Sequence, residues 1–194
     1  MECGWLKRLR ETIASLVRAI APHDAIEAAH KAWILEWIRS GAPLFRIKKP
    51  DLPACHLGTY CAVFDPARRK LLLGDHRNAG LWLPPGGHIE PDEDPRVAAG
   101  RELQEELGID ARPRFETPLF VTVTETVGID SGHTDVSLWF VFHSDSLSRP
   151  QFDDAEFKSL EWYELGSIPF ARSHPDMQRF VDKLKRSWCV SGQR

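Results

Sequence analysis

The chain has 194 residues, 42% of them hydrophobic and 27% charged, which suits one globular domain, or one with an extension, able to bury its core without staples. A formal net charge of -3 argues neither for nor against a nucleic-acid surface, but the lack of any long basic run argues against duplex binding, and no apolar run is long enough to span a bilayer. Cys3, Cys55, Cys61 and Cys189 form no C-x-x-C pair, which argues against a zinc knuckle or a disulfide framework and for reduced thiols in a cytoplasmic protein.

The first predicted element is a helix over 4–20, where Leu6, Leu9, Ile13, Leu16, Val17 and Ile20 recur at helical spacing. Glu11 and Arg18 interrupt it, so it does not read as a secretory signal. After Pro22, a second helix is predicted over 24–39, capped by Asp24 and ended by Gly41. Residues 1–48 thus read as a helical hairpin ahead of a main domain over 49–194, joined through the linker-like "APLFRIKKPDLP". The hairpin is expected to supply extra packing or a homodimer interface. Lys7, Arg8, Arg10 and Arg18 beside Trp5 leave a membrane-surface helix as the alternative. It is also expected to be separable from the chemistry, because the candidate site residues lie beyond position 56.

From His56 the period changes to that of strands. "HLGTYCAVFD" and "KLLLGDH" flank the turn-like "DPARR" and read as a strand pair. A helix is predicted from about Asp94 or Pro95 to Gly108, with proline in its first turn and a C-terminal glycine. "RFETPLFVTVTETVG" alternates throughout and reads as one long strand, with Phe120, Thr122 and Thr124 on one side and Val121, Val123 and Glu125 on the other. "VSLWFVFH" and "KSLEWYEL" are two more strands, and 175–188 a closing helix with Met177, Phe180, Val181 and Leu184 inward. The class is mixed α/β.

The central helix carries an unusual load. At 100° per residue, Glu102, Glu105 and Glu106 share one face beside the apolar stripe of Ala99, Leu103 and Leu107. Carboxylates at i, i+3 and i+4 repel, so the face is either solvated and salt-bridged by Arg96 and Arg101, or holds a hard divalent cation, which takes oxygen ligands. The upstream "WLPPGGHIEPDED" favours the cation, because adjacent glycines let a backbone carbonyl approach a ligand closely.

Gly87, Glu93, Arg101, Glu102, Leu103, Glu105, Glu106, Gly108 and Ile109 fill every fixed position of G-x5-E-x7-R-E-U-x-E-E-x-G-U, U being aliphatic. In this the chain resembles the Nudix hydrolases, and the strand pattern from about 56 to 188 resembles their domain; the hairpin lies outside the likeness. The resemblance implies an α/β/α sandwich with a mixed sheet, and hydrolysis of a nucleoside diphosphate linked to another moiety. It implies Mg²⁺ or Mn²⁺ held by Glu102, Glu105, Glu106 and the Gly86 carbonyl. Glu102 would orient or deprotonate water, and Arg101 would hold Glu93.

A further carboxylate is expected from "FDDAEF", with Glu156 first and Asp153 or Asp154 next, or from Glu125 on the long strand. His88, Arg77 and His133 are candidate substrate contacts. Trp82 and Trp139 sit in apolar strand patterns and read as core sooner than as base-stacking rings. Downstream of the box, ADP-ribose hydrolases place a proline and diadenosine polyphosphate hydrolases a tyrosine; this chain has Glu125 and Thr126 there. The coenzyme A pattern upstream is also missing. Elimination leaves a nucleoside triphosphate pyrophosphohydrolase of the MutT kind acting on a small nucleotide, with ADP-ribose or a nucleotide sugar as the alternative. A non-catalytic nucleotide-binding module on the same fold is the rival from another class, though such modules often lose box glutamates that are all kept here. An isomerase of isopentenyl diphosphate would need a partner motif that neither Cys55 nor Cys61 has.

Overall fold

The computed structural model describes residues 4–48, 52–126 and 132–191, the side chains of 189–191 excepted. Two helices come first, α1 (Gly4–Ala19) and α2 (Ala25–Arg39). Asp24 caps α2 by accepting from the Glu27 amide at 2.8 Å, and Glu27 Oε2 accepts from the amide of His23, just before the cap, at 2.5 Å. Each helix also supplies a cation to the other's C-terminal end, where carbonyls lack partners. Arg10 donates to the carbonyls of Ile38, Gly41 and Ala42, and Lys31 to those of Arg18 and Ile20.

The sheet contains β1 (Cys55–Asp65), β2 (Lys70–His76), β3 (Trp82–Leu83), β4 (Phe120–Glu125), β5 (Thr134–His143) and β6 (Phe157–Glu164). The order is β3-β2-β1-β5-β4, with β6 antiparallel along β2. β1 and β5 run parallel through ten registered pairs, His56 opposite Asp135 among them. β2 meets β1 only at the hairpin base, through Phe64 and Leu71 and through Asp65 and Lys70. Further along, residues 85–89 replace β2 beside β1: the Cys61 amide donates to the Pro85 carbonyl, Thr59 to Gly87, and Ile89 to Leu57. This substitution carries the glycine turn onto the centre of the sheet.

Strand periodicity then sorts the side chains onto two faces. Leu57, Cys61, Val63, Val136, Leu138, Phe140 and Phe142 pack with Ala98, Ala99, Leu103 and Leu107 of α3 (Pro95–Leu107). The hairpin joins the same cluster through Ile13, Val17, Ile34 and Ile38. On the other face Ala62, Phe64, Phe120 and Trp139 pack under Met177, Phe180, Val181 and Leu184 of α4 (Met177–Ser191). The molecule is thus an α/β/α sandwich, and the hairpin shares one core with the sheet. Two ion pairs also tie it to α4: Glu27 to Lys183 at 2.6 Å, both buried, and Asp24 to Arg179 at 2.6 Å. Trp33, stacked on Trp37, stays on its outer surface.

Some elements differ from expectation. The long alternating segment forms a strand only over Phe120–Glu125, while 127 and 128 lie outside the described residues. Pro118 has no amide to give a ladder, and the chain touches β5 upstream only through single bonds, Arg114 to Val141 and Leu119 to Trp139. The two-residue β3 and a 3-10 turn over Phe170–Arg172 are too short to carry a period. No helix among the described residues is long and apolar enough to cross a membrane.

Candidate functional site

The acidic helix is placed by its ends. Asp94 accepts from the Arg96 amide at 2.9 Å, Pro95 occupies the first turn, and Gly108 closes the helix in the left-handed conformation at φ 64°. With Leu103 and Leu107 in the core, Glu102, Glu105 and Glu106 face the glycine turn.

That turn requires glycine twice. Gly86 has φ 152°, a region closed to other residues, and a Cβ there would strike the Thr59 carbonyl. A Cβ on Gly87 would lie 2.7 Å from the Glu102 carboxylate. Backbone and carboxylates are therefore in direct contact, and the Gly86 amide donates to Glu106 Oε2 at 2.9 Å.

Arg101 cross-links the acids. Its guanidinium grips Glu93 through two bonds of 2.9 Å, and its Nη1 donates to Glu102 and to Glu105, each at 2.9 Å. Nη2 also donates to the His88 carbonyl at 3.1 Å, which fixes the turn to the helix. Burial pushes the Glu102 carboxyl up, against the pull of Arg101. Burial pushes Glu106 up much further, with Glu102, Glu156 and Asp153 adding repulsion that the Gly86 amide only partly offsets.

A cavity of about 470 Å³ opens over this face, lined by the three helix glutamates, Gly86, Gly87 and Arg101. Glu156 and Glu125 also line it. The 153–156 loop returns over the end of α3, where the Asp153 amide donates to the Glu106 carbonyl at 2.9 Å. Glu156 stands 3.5 Å from His76 Nε2. Of the candidate substrate contacts, His88 and His133 line the cavity. Arg77 does not line it: its guanidinium donates to the Asp154 carbonyl at 2.6 Å and steadies that loop. Trp139 is buried, donating to Thr122 at 3.1 Å, and Trp82 packs edge-on to Tyr163.

Sequence reasoning missed two side chains that line this cavity, Arg46 and Asp135, and one buried behind its wall, His56. Arg46 comes from the supposed linker, His56 was read only as part of a strand, and Asp135 only as part of the turn-rich "DSGHTD". The one available signal was H-x-D at 133–135, two metal-ligating residue types either side of the first residue of β5. His88, His133 and His56 gather there, with ring centroids 4.7 Å apart for His56 and His88 and 4.9 Å for His56 and His133. Burial, helped by Arg46, pushes His88 down to about 4. Among the described cysteines, Cys55 and Cys61 are free thiols, and burial pushes both up.

Residues 55–184, well over half the chain, match the family model described as the NUDIX domain. Human nucleoside diphosphate-linked moiety X motif 6 is 38% identical over 134 residues, covering 68% of this chain and 40% of that protein. The RNA pyrophosphohydrolase of Gluconacetobacter diazotrophicus is 31% identical over 107 residues, covering 50% of this chain and 64% of that protein. The match thus spans less than two thirds of either curated relative. Among solved structures, a MutT NUDIX hydrolase from Burkholderia pseudomallei superposes with a TM-score of 0.54 at 24% identity, covering 66% of this chain and 97% of its own, a likeness of fold.

Proposed function

The chain belongs to the NUDIX domain family, and from that premise we propose that it hydrolyses the phosphoanhydride link of a nucleoside diphosphate joined to another group. The observation that carries this reading is the meeting of Glu102, Glu105, Glu106 and the Gly86 turn on one cavity, cross-linked by Arg101. The donors are all oxygens, and two of the carboxyls are pushed up by burial, a cost that a hard cation such as Mg²⁺ or Mn²⁺ removes. Glu102, Glu105, Glu106 and the Gly86 carbonyl would hold it. The chemistry a divalent cation supplies there is neutralisation of the diphosphate charge and acidification of water.

The protein's own groups do the rest. Glu102 is mostly buried and held by Arg101, so its oxygen is oriented to accept a proton from water. Arg101 keeps Glu93 and Glu105 in register with it and pins the turn through the His88 carbonyl. Glu156 is the added carboxylate, brought to the cavity by the loop that Arg77 steadies.

Within the class, a nucleoside triphosphate cleaved to a monophosphate and diphosphate is the finer reading, reached by elimination of subfamily markers. The relatives' printed names, one a nucleoside diphosphate-linked moiety protein and one an RNA pyrophosphohydrolase, support a diphosphate-bearing substrate. Reduced thiols at Cys55 and Cys61 fit a cytoplasmic location. The test is a panel of nucleoside triphosphates, ADP-ribose and nucleotide sugars incubated with Mg²⁺ or Mn²⁺, products being resolved by chromatography. Release of diphosphate from a triphosphate supports the finer reading, and cleavage of ADP-ribose alone replaces it. No turnover of any member with either cation would leave the binding-module reading standing instead.

A further inference from the structure

Four residues from three separate stretches aim donor atoms at one spot in the cavity wall. His56 lies on β1, His88 on the turn beside it, and His133 and Asp135 at the start of β5; their candidate donor atoms all lie within 4.8 Å of one another. Register explains the meeting. His56 is paired with Asp135 across the parallel strands, His88 is bridged to Gly58, and His133 is two residues before Asp135, just ahead of β5.

Hydrogen bonds at the far ring nitrogens orient two of the histidines. His56 Nδ1 stands 2.8 Å from the Pro53 carbonyl, which can only accept, so Nδ1 carries a hydrogen and Nε2 is the atom turned to the cluster. Thr126 Oγ1 stands 3.1 Å from His133 Nδ1, so that nitrogen is engaged by the hydroxyl and Nε2 is turned to the cluster. Both Nε2 atoms then face Asp135 Oδ1, at 3.3 Å and 3.2 Å. That oxygen is buried and, among the described residues, accepts no well-formed hydrogen bond. In their neutral forms the two rings set lone pairs against an anionic oxygen, and a cation between them turns that repulsion into attraction. Metal-ligating histidines show this arrangement, with the far ring nitrogen donating to an oxygen acceptor.

We propose that His56, His88, His133 and Asp135 form a second cation site that takes a divalent transition metal of the Zn²⁺ class. Three imidazoles and one carboxylate suit Zn²⁺, Co²⁺ or Ni²⁺, whereas the all-oxygen helix face suits Mg²⁺. Ligand distances of about 2.0–2.1 Å would draw the donors inward by on the order of 1 Å. The site assigns to a cation two imidazoles expected from sequence to touch substrate. Because His88 follows the Gly86-Gly87 turn, loading the site would also stiffen that turn. None of this rests on the hydrolase reading.

The test uses the full chain, stripped with a chelator and titrated with Co²⁺ alone, read by visible absorption and by calorimetric competition with Zn²⁺. The expected result is one equivalent with the bands of four-coordinate Co²⁺, displaced by Zn²⁺ and retained in Glu105→Gln. Asp135→Asn and His133→Gln should each bind at least about 10²-fold more weakly. No visible bands in the wild-type chain would overturn the proposal, as would wild-type affinity in both variants or loss of the bands in Glu105→Gln alone. Should either variant fail to fold, nitrogen NMR of the wild-type histidines decides: Co²⁺ must shift His56, His88 and His133, and unshifted rings refute the site.

Discussion

At the scale of single residues, the helix glutamates separate stability from chemistry. Glu106 is buried beside Glu102 and pushed up by that burial, so its charge costs the metal-free fold. Glu105→Gln and Glu106→Gln are each expected to lower kcat by at least about 10² at saturating Mg²⁺, because a ligand to the cation acts on the transition state. Metal-free Glu106→Gln should melt no lower than the wild type by calorimetry, since its amide oxygen can still accept from the Gly86 amide. The loop acids are sorted by kinetics on Asn or Gln variants at 153, 154, 156 and 125. Glu156→Gln should lower kcat more than it raises KM, while Asp154, which does not line the cavity, should matter little. A crippled Glu125→Gln with a normal Glu156→Gln would move the role to β4.

His174 gives a pH dependence. Burial under Tyr60 and Trp139 pushes it down to about 4, from an ordinary value near 6.5. The unfolded chain therefore binds the extra proton first. Stability from this group is complete above about pH 6.5 and is lost as pH falls toward about 4, a change on the order of 3 kcal/mol. Denaturant melts at pH 7 and pH 4.5 should show the loss, and His174→Gln should flatten that part of the difference.

At the scale of elements, the hairpin is the part whose meaning changed most between sequence and structure. Its periodicity, its Asp24 cap and its end near Gly41 were legible, because helices announce themselves locally. Its place was not, since nothing local says that Ile13, Val17, Ile34 and Ile38 will share a cluster with Leu138 and Phe140. Burying each such side chain is worth roughly 1.5–3 kcal/mol, and a domain's whole stability is only about 5–15 kcal/mol. Deleting residues 1–49 would also leave Lys183 buried without Glu27. Such a chain is expected to aggregate or to melt far below the full chain in a thermal scan. Full activity in a soluble, well-folded truncation would show instead that the sheet can close its own face.

At the scale of the molecule, the carboxylate face was legible and the histidine cluster was not, for one reason. Glu102, Glu105 and Glu106 lie within one and a half turns of one helix, so spacing alone puts them together. His56, His88 and Asp135 meet only through strand register and a turn that replaces β2 beside β1, which are properties of pairing between distant segments. The same distance held back Arg46 and the return of the 153–156 loop over the end of α3. The over-long strand failed at Pro118, a residue visible from the start but outweighed by the alternation around it.

The parallel pairing of β1 with β5 also bears on how the protein is made. It joins segments as far apart as Thr59 and Leu138, 79 positions along the chain, and such contacts repay their loop-closure entropy late. The acidic helix is encoded inside that loop. During synthesis its carboxylates emerge before the strand that completes the central sheet beneath them, so the nascent chain holds the charges before their scaffold. Folding of this protein should accordingly wait on β5, and a chain stalled before Thr134 should carry the whole glutamate motif on a helix with an unfinished sheet beneath it.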